Sequence, residues 1–281
     1  MKTLHINELG KSRLLEFASA VHKLARQAVP AYSSKFSKKA YTQPQHIVII
    51  CLKVREGKTY EGIIDLLIEM PRIREVLDLD EVPHPSTICK AFQRLKSVVW
   101  RVLHLLTLQF FDLSGITDID SSGHERAYAS QYYTRREKLK IKQLKCTLLV
   151  DVEENPVLGV HITTTRKHDT KIGPKIVERS ADLIDVLLRD KGFDDQKYRE
   201  LCRELGIRPI IKHREFTGLQ KAWNARQDEE LYNQRNQNES VNSSIKRKYG
   251  SYVRSKIWYK QFREVIVKCI VYNLDRAIQL S

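Results

Sequence analysis

The sequence predicts an α/β domain built on a mixed sheet and preceded by an all-helical region. Two observations carry this reading. Apolar residues in the first third recur at helical spacing. From Leu113–Gly115 onward, short β-rich runs alternate with helical ones. Strands that first pair as neighbours and then alternate with helices make a mixed sheet. The boundary is placed at 112, giving a helical domain over 1–112 and an α/β domain over 113–281.

Each element has a local reason. Leu14, Phe17, Ala18, Val21, Leu24 and Ala25 form one apolar helix face. A Ser- and Lys-rich loop follows, then a helix over Gln45–Arg55 that stops at Gly57. Thr59 is an N-cap for a third helix, ended by Pro71. Pro83 and Pro85 frame a turn, after which Ser86 caps a long helix toward Phe111. Helix, turn and helix, with Lys90, Arg94 and Lys96 on the last, read either as a DNA-reading unit or as a bundle for packing or dimerisation. In the second domain, strands are expected over Gly115–Asp120, Leu144–Val152 and Val157–Thr165, with Asn155-Pro156 as the turn between the last two. Asp169 caps a helix over Lys171–Ala181, and Leu183–Leu188 is a strand. Asp194 caps a helix over Asp195–Leu205, and Arg208–Lys212 is a further strand. Two long helices close the chain, over Glu229–Tyr249 and Ser255–Ile278.

Composition narrows the function. Lys and Arg number 49 against 34 Asp and Glu, a formal net charge of +15. Charge of this sign and size favours a polyanionic partner, with nucleic acid first. The longest apolar run, Ile47–Leu52, is far too short to span a bilayer, so no membrane role is expected. The first thirty residues show no apolar core flanked as in a signal peptide. Five scattered cysteines, none in a C-x-x-C pair, fit reduced thiols in the cytoplasm rather than a zinc ribbon.

Two acids stand where an α/β sheet gathers ligands. In T-D-I-D-S-S-G, Asp118 and Asp120 are two apart and share one strand face, with Asp120 at the exit. In V-L-L-R-D-K-G-F-D-D, Asp190 ends an apolar strand. Carboxyl ends of strands are the binding edge of such sheets. Two acids there can share a divalent cation such as Mg²⁺, a hard ion that takes carboxylate and phosphate oxygens. The plainer alternative is that each Asp is a turn residue or helix cap.

A third segment, L-Y-N-Q-R-N-Q-N-E-S-V-N-S-S-I-K-R-K-Y-G, adds to this pair. At about 100° per residue, Tyr232, Arg235, Glu239 and Lys246 fall within a stripe roughly 60° wide. A mixed-charge stripe set among Asn, Gln and Ser suits a catalytic helix. Glu239 then faces a metal, Arg235 and Lys246 hold phosphates, and Tyr232 supports a base or phosphate. The alternative is an exposed helix with an Arg235–Glu239 pair at i, i+4.

Tyr, two residues, Arg, three residues, Glu, six residues and Lys is a spacing with a family behind it. The chain resembles one branch of the DDE insertion-sequence transposases, the families numbered four and five, which carry this Tyr-Arg-Glu-Lys signature. I-D-S-S-G at Asp120 resembles the first-acid strand of that family, often I-D-G-T-G, with Ser121-Ser122 in place of its usual pair. D-K-G-F-D at Asp190 resembles its second-acid motif, D-K-G-Y-D. The resemblance covers roughly Ile119–Ile278. It implies an RNase H-like catalytic domain in which Asp120, Asp190 and Glu239 are the catalytic acids and hold two Mg²⁺ or Mn²⁺ ions. It implies strand cleavage at transposon ends and transfer of the freed 3′-hydroxyl to target DNA. The partners implied are double-stranded DNA (terminal inverted repeats and target) and a second copy of the chain, in a prokaryotic cytoplasm. The N-terminal domain then serves DNA-end binding, dimerisation or both. Three clustered carboxylates repel one another without metal, so raised acid pKa values or a loosely held site are expected.

Around this trio, Arg135, Arg136, Lys138 and Lys140 form a basic run expected to contact DNA backbone, with Tyr132 and Tyr133 before it. Two other readings compete. One is a DNA-binding protein that has lost catalysis or been domesticated. The other is an RNase H-like nuclease that cleaves without strand transfer.

Overall fold

The computed structural model describes residues 12–36, 38–126, 143–164, 169–191 and 194–281. By its contacts the chain divides into two compact units, one of Met1–Gln109 with Ile266–Ser281, the other of Phe110–Val265.

The first unit is helical. It contains α1 (Arg13–Ala28), α2 (Gln43–Arg55), α3 (Tyr60–Ile68), α4 (Pro71–Val76), α5 (Pro85–Arg94) and α6 (Ser97–Leu106). Thr42 opens α2 with a capping box that includes Gln45, and the Thr59 hydroxyl accepts from the Gly62 amide to open α3. Pro71 does not end a helix as expected. It is the first residue of α4, where its missing N–H costs nothing. The cap of α5 is the His84 ring, which accepts from the Ser86 amide, with Pro85 in the first turn. The long helix expected toward Phe111 is two helices, parted at Leu95, whose ψ of 113° is extended.

The C-terminal helix α12 (Trp258–Leu280) is shared between the units. Its second half joins the helical unit, although the sequence reading placed all of 113–281 in the α/β domain. Asp275 pairs with Arg55 at 2.7 Å, and buried Asn273 donates to the Thr107 hydroxyl at 2.9 Å. Ile266, Val267, Ile270, Val271 and Leu274 are all buried, so this stretch belongs to a core rather than a tail.

The second unit is a five-stranded mixed sheet of β1 (Ile116–Glu125), β2 (Gln143–Asp151), β3 (Val157–Thr163), β4 (Val186–Arg189) and β5 (Arg208–Ile211). Its order is β3-β2-β1-β4-β5. β1–β2 and β2–β3 are antiparallel, while β1–β4 and β4–β5 are parallel. The turn before β3 uses Asn155 at φ 63°, a left-handed conformation that Asn tolerates. Helices flank both faces. Alternation along β4 turns Leu188 toward Tyr232, in a cluster with Val152 and Ile210, and turns Arg189 the other way, 4.6 Å from the Tyr198 ring. On that second side lie α7 (Asp169–Arg179) and α8 (Gln196–Glu204). Three further helices, α9 (Gly218–Ala225), α10 (Glu229–Asn233) and α11 (Gln237–Tyr249), follow β5.

Three local expectations change. β1 does not stop at Asp120 but runs on through Glu125, paired with β2 after Asp118 and bridged at Glu125 to Tyr252. The cap of α8 is Asp195, which accepts from the Lys197 amide. The single helix expected over Glu229–Tyr249 is α10, a 3₁₀ turn over Gln234–Asn236, and α11. The run Asn233-Gln234-Arg235-Asn236 explains the break, since Asn side chains compete for backbone hydrogen bonds. Three residues at 3.0 per turn add about 60° of rotation, which keeps Tyr232, Arg235, Glu239 and Lys246 in a comparable sector.

Candidate active site

The parallel register fixes the first two acids. Asp118 of β1 stands opposite Leu188 of β4. Two residues further on come Asp120, still within β1, and Asp190, one residue past the end of β4. Strands in a sheet lie about 4.8 Å apart. Because Leu188 faces Tyr232, Asp118, Asp120 and Asp190 face the same side by alternation. Asp120 is partly buried and Asp190 is exposed.

Asp118 is the most constrained of the three. It is 3% exposed, and its Oδ2 has no hydrogen-bond partner among the described residues. Burial first, then the charge of Asp120, pushes its carboxyl well above the usual carboxylate range. The expected rise in acid pKa thus falls on the residue behind the proposed ligand.

α11 brings Glu239 to this face through its neighbour. The Asn238 amide donates to the main-chain oxygens of Asp118 and Leu148, each at 3.0 Å. Asn242, one turn on, donates to the Asn238 side-chain oxygen at 2.7 Å and accepts from the Ser122 hydroxyl at 2.7 Å. One polar ladder therefore bolts the helix across β1 and β2 at the first acid. Glu239 itself is exposed. Sequence reasoning missed Asn238 and Asn242. Their only signal was Asn at i, i+4 inside a segment otherwise read for its charges.

Tyr232 is 3% exposed. Its ring meets cations of the protein, with the Arg235 Cζ at 4.3 Å and the Lys212 Nζ at 4.4 Å from the centroid. Burial pushes its phenol upward, Arg235 pulls it down, and the charges of Asp190 and Asp118 add to the rise. Tyr232, expected to support a base or phosphate, is buried between two cations, with the charges of Asp190 and Asp118 reaching its phenol. Arg235 and Lys246 are both partly exposed.

The loops after β4 and β5 are pinned together. Asp194, expected as a helix cap, accepts from Arg199 Nη2 at 2.8 Å and from the Arg214 amide at 3.0 Å, with His213 Nδ1 at 3.1 Å. Burial pushes its carboxyl up, but these hydrogen bonds win and hold it below the ordinary range. Lys191, next to Asp190, pairs with Glu215 at 3.2 Å. Asp151, the last residue of β2, accepts from the Ser114 amide and hydroxyl and from the Glu153 amide. Arg135, Arg136, Lys138 and Lys140 lie outside the described residues.

In kind, the donors at this edge fit a hard dication, since Asp120, Asp190 and Glu239 offer only carboxylate oxygens. In distance they are not closed upon one another. Among the described residues, no group of three or more His, Cys, Asp or Glu stands close enough to hold a metal ion.

Residues 112–274 match the family model of the transposase DDE domain. The chain belongs to this family. Among solved structures it is similar to the piggyBac transposase synaptic complex with hairpin DNA. The TM-score is 0.50 at 9% identity, covering 99% of this chain and 77% of that one. At that identity the likeness is one of fold alone. No curated protein matches the chain.

Proposed function

We propose that the chain is the transposase of an insertion sequence of the Tyr-Arg-Glu-Lys branch. It cleaves DNA at transposon ends and transfers the freed 3′-hydroxyl to target DNA. What supports this reading is the parallel register of β1 with β4 as far as Asp118 and Leu188, two residues before Asp120 and Asp190, with the helix that bears Glu239 docked on Asp118. Asp120, Asp190 and Glu239 would hold two Mg²⁺ or Mn²⁺ ions. A metal pair about 3.5–4 Å apart would activate the attacking oxygen and stabilise the leaving one. Arg235 and Lys246 offset the phosphate charge beside the acids. No side chain serves as nucleophile, so Ser121 and Ser122 have no covalent part, and the Ser122 hydroxyl is committed to Asn242. The reading includes two copies acting on two transposon ends in a prokaryotic cytoplasm.

The test is a nicking assay on plasmid DNA carrying the sequence that flanks the gene. Asp120→Asn, Asp190→Asn and Glu239→Gln are each expected to remove Mg²⁺- or Mn²⁺-dependent nicking while DNA binding persists. A variant that nicks at the wild-type rate removes its residue from the trio. A wild-type chain that binds but never nicks favours a descendant without catalysis. Nicking without joining of the freed end favours a nuclease.

A further inference from the structure

The register that leads to the two aspartates extends to a third strand. β4 and β5 are matched from Val186 with Arg208 to Arg189 with Ile211. One residue past the end of each strand come Asp190 and Lys212. Two adjacent parallel strands therefore lead to Asp190 and Lys212 at the carboxyl edge of the sheet. Faces alternate along a strand, and Leu188 and Ile210 both cluster with Tyr232. Asp190 and Lys212, two residues beyond them, turn to that same side. The ammonium is found there, 4.4 Å from the centre of the Tyr232 ring.

The surroundings of Lys212 hold its backbone and leave its head available. The Ile211 carbonyl before it accepts from Arg199 Nη2 at 2.8 Å and from Gln227 Nε2 at 2.9 Å. The His213 amide after it donates to Asn224 Oδ1 at 2.7 Å, and the His213 carbonyl accepts from Asn224 Nδ2 at 2.9 Å. The carboxylate nearest the ammonium is Glu229, 4.0 Å away on a side chain that is 79% exposed. An ion pair so long and so wet holds weakly. An ammonium carries three N–H donors, and neither the ring face nor Glu229 exhausts them. A compact ammonium on a flexible stem binds phosphate as a point charge.

We propose that Lys212 binds a phosphate of the DNA strand lying along the Asp120–Asp190 edge, as a basic partner of Arg235 across the Tyr232 ring. This rests on the transposase reading above and adds a residue outside its signature. A phosphodiester approaching two aspartates meets like charge. Cations at 212 and 235, both against the Tyr232 ring, offset that repulsion.

The test uses the full chain and a duplex copied from the DNA flanking the gene, without divalent metal, over a series of salt concentrations. Lys212→Gln is expected to flatten the slope of log K against log salt by about 0.9, the loss of one phosphate contact. Lys212→Arg is expected to keep the wild-type slope. Glu229→Gln, which frees the ammonium of the carboxylate 4.0 Å away, is expected to leave the slope unchanged or steepen it. Thermal unfolding of Lys212→Gln is expected to stay near that of the wild type. An unchanged slope in Lys212→Gln, whether or not the protein is destabilised, overturns the proposal and leaves Lys212 as packing for Tyr232. A wild-type chain with no salt-dependent affinity for DNA overturns it together with the transposase reading.

Discussion

Arg189 shows how closely single residues are matched next to the second acid. Its side chain is 0% exposed, and a Cβ added to Gly173 of α7 would stand 2.5 Å from its Nη1. Alanine in place of a helical glycine ordinarily gains about 1 kcal/mol. Overpacking against a guanidinium hemmed in by Tyr198 costs about 1–3 kcal/mol. The larger effect decides the sign, so Gly173→Ala is expected to lower stability by about 1 kcal/mol in a urea titration. A variant more stable than wild type would show that the guanidinium yields. His46 makes a second residue-scale prediction. Burial, with Arg94 adding to it, lowers its pKa from 6.5 to about 4, and its Nε2 has no hydrogen-bond partner among the described residues. A folded value below the unfolded one means that stability is complete above pH 6.5 and is lost as pH falls toward 4. At pH 5 that loss is about 2 kcal/mol. His46→Phe, which keeps a ring beside Tyr41, is expected to remove that part of the acid sensitivity. Equal losses in both proteins between neutral pH and pH 5 would refute it.

At the scale of elements, the docking of α11 depends on Asn238. Its amide satisfies two buried strand carbonyls at once, and truncation would leave both unpaired. Each orphaned buried acceptor costs about 1–3 kcal/mol. Asn238→Ala is expected to destabilise the chain by roughly 3 kcal/mol by denaturant titration and to slow nicking in the folded fraction. A destabilised but fully active variant would mean that Glu239 finds its place without the ladder. The same segment shows what sequence can reveal. The strands, their turn at Asn155-Pro156 and the spacing of Tyr232, Arg235, Glu239 and Lys246 were legible because periodicity and turn chemistry are local. The 3₁₀ break, the overrun of β1 past Asp120 and the split at Leu95 were not. The break follows from Asn side chains competing with the backbone and the other two from what the element packs against, and periodicity carries neither kind of information. Lys212 was hidden for a related reason, since its partners come from a strand register that no spacing along the chain encodes.

At the scale of the molecule, charge dominates. A formal +15 on 281 residues gives DNA binding a component that is independent of sequence and falls with salt. Arg135→Ala with Arg136→Ala is expected to weaken binding to all duplexes alike and to reduce the salt slope by about 1.8. An unchanged slope would remove the basic run from the DNA contact. No helix among the described residues is long and apolar enough to cross a membrane. The boundary near 112 illustrates a limit of reading a chain in order. Composition changes there, but the core of the helical unit also draws on Ile266–Ser281, and nothing local in α12 announces that its two halves serve different cores.

That division has a consequence for a shortened chain. Helices α1 to α6 precede the sheet in the chain, yet their core draws on Ile266, Val267, Ile270, Val271 and Leu274, which follow it. The sheet needs none of these residues to pair its strands. A product cut after the sheet is therefore expected to expose sticky helices whose core is unfinished.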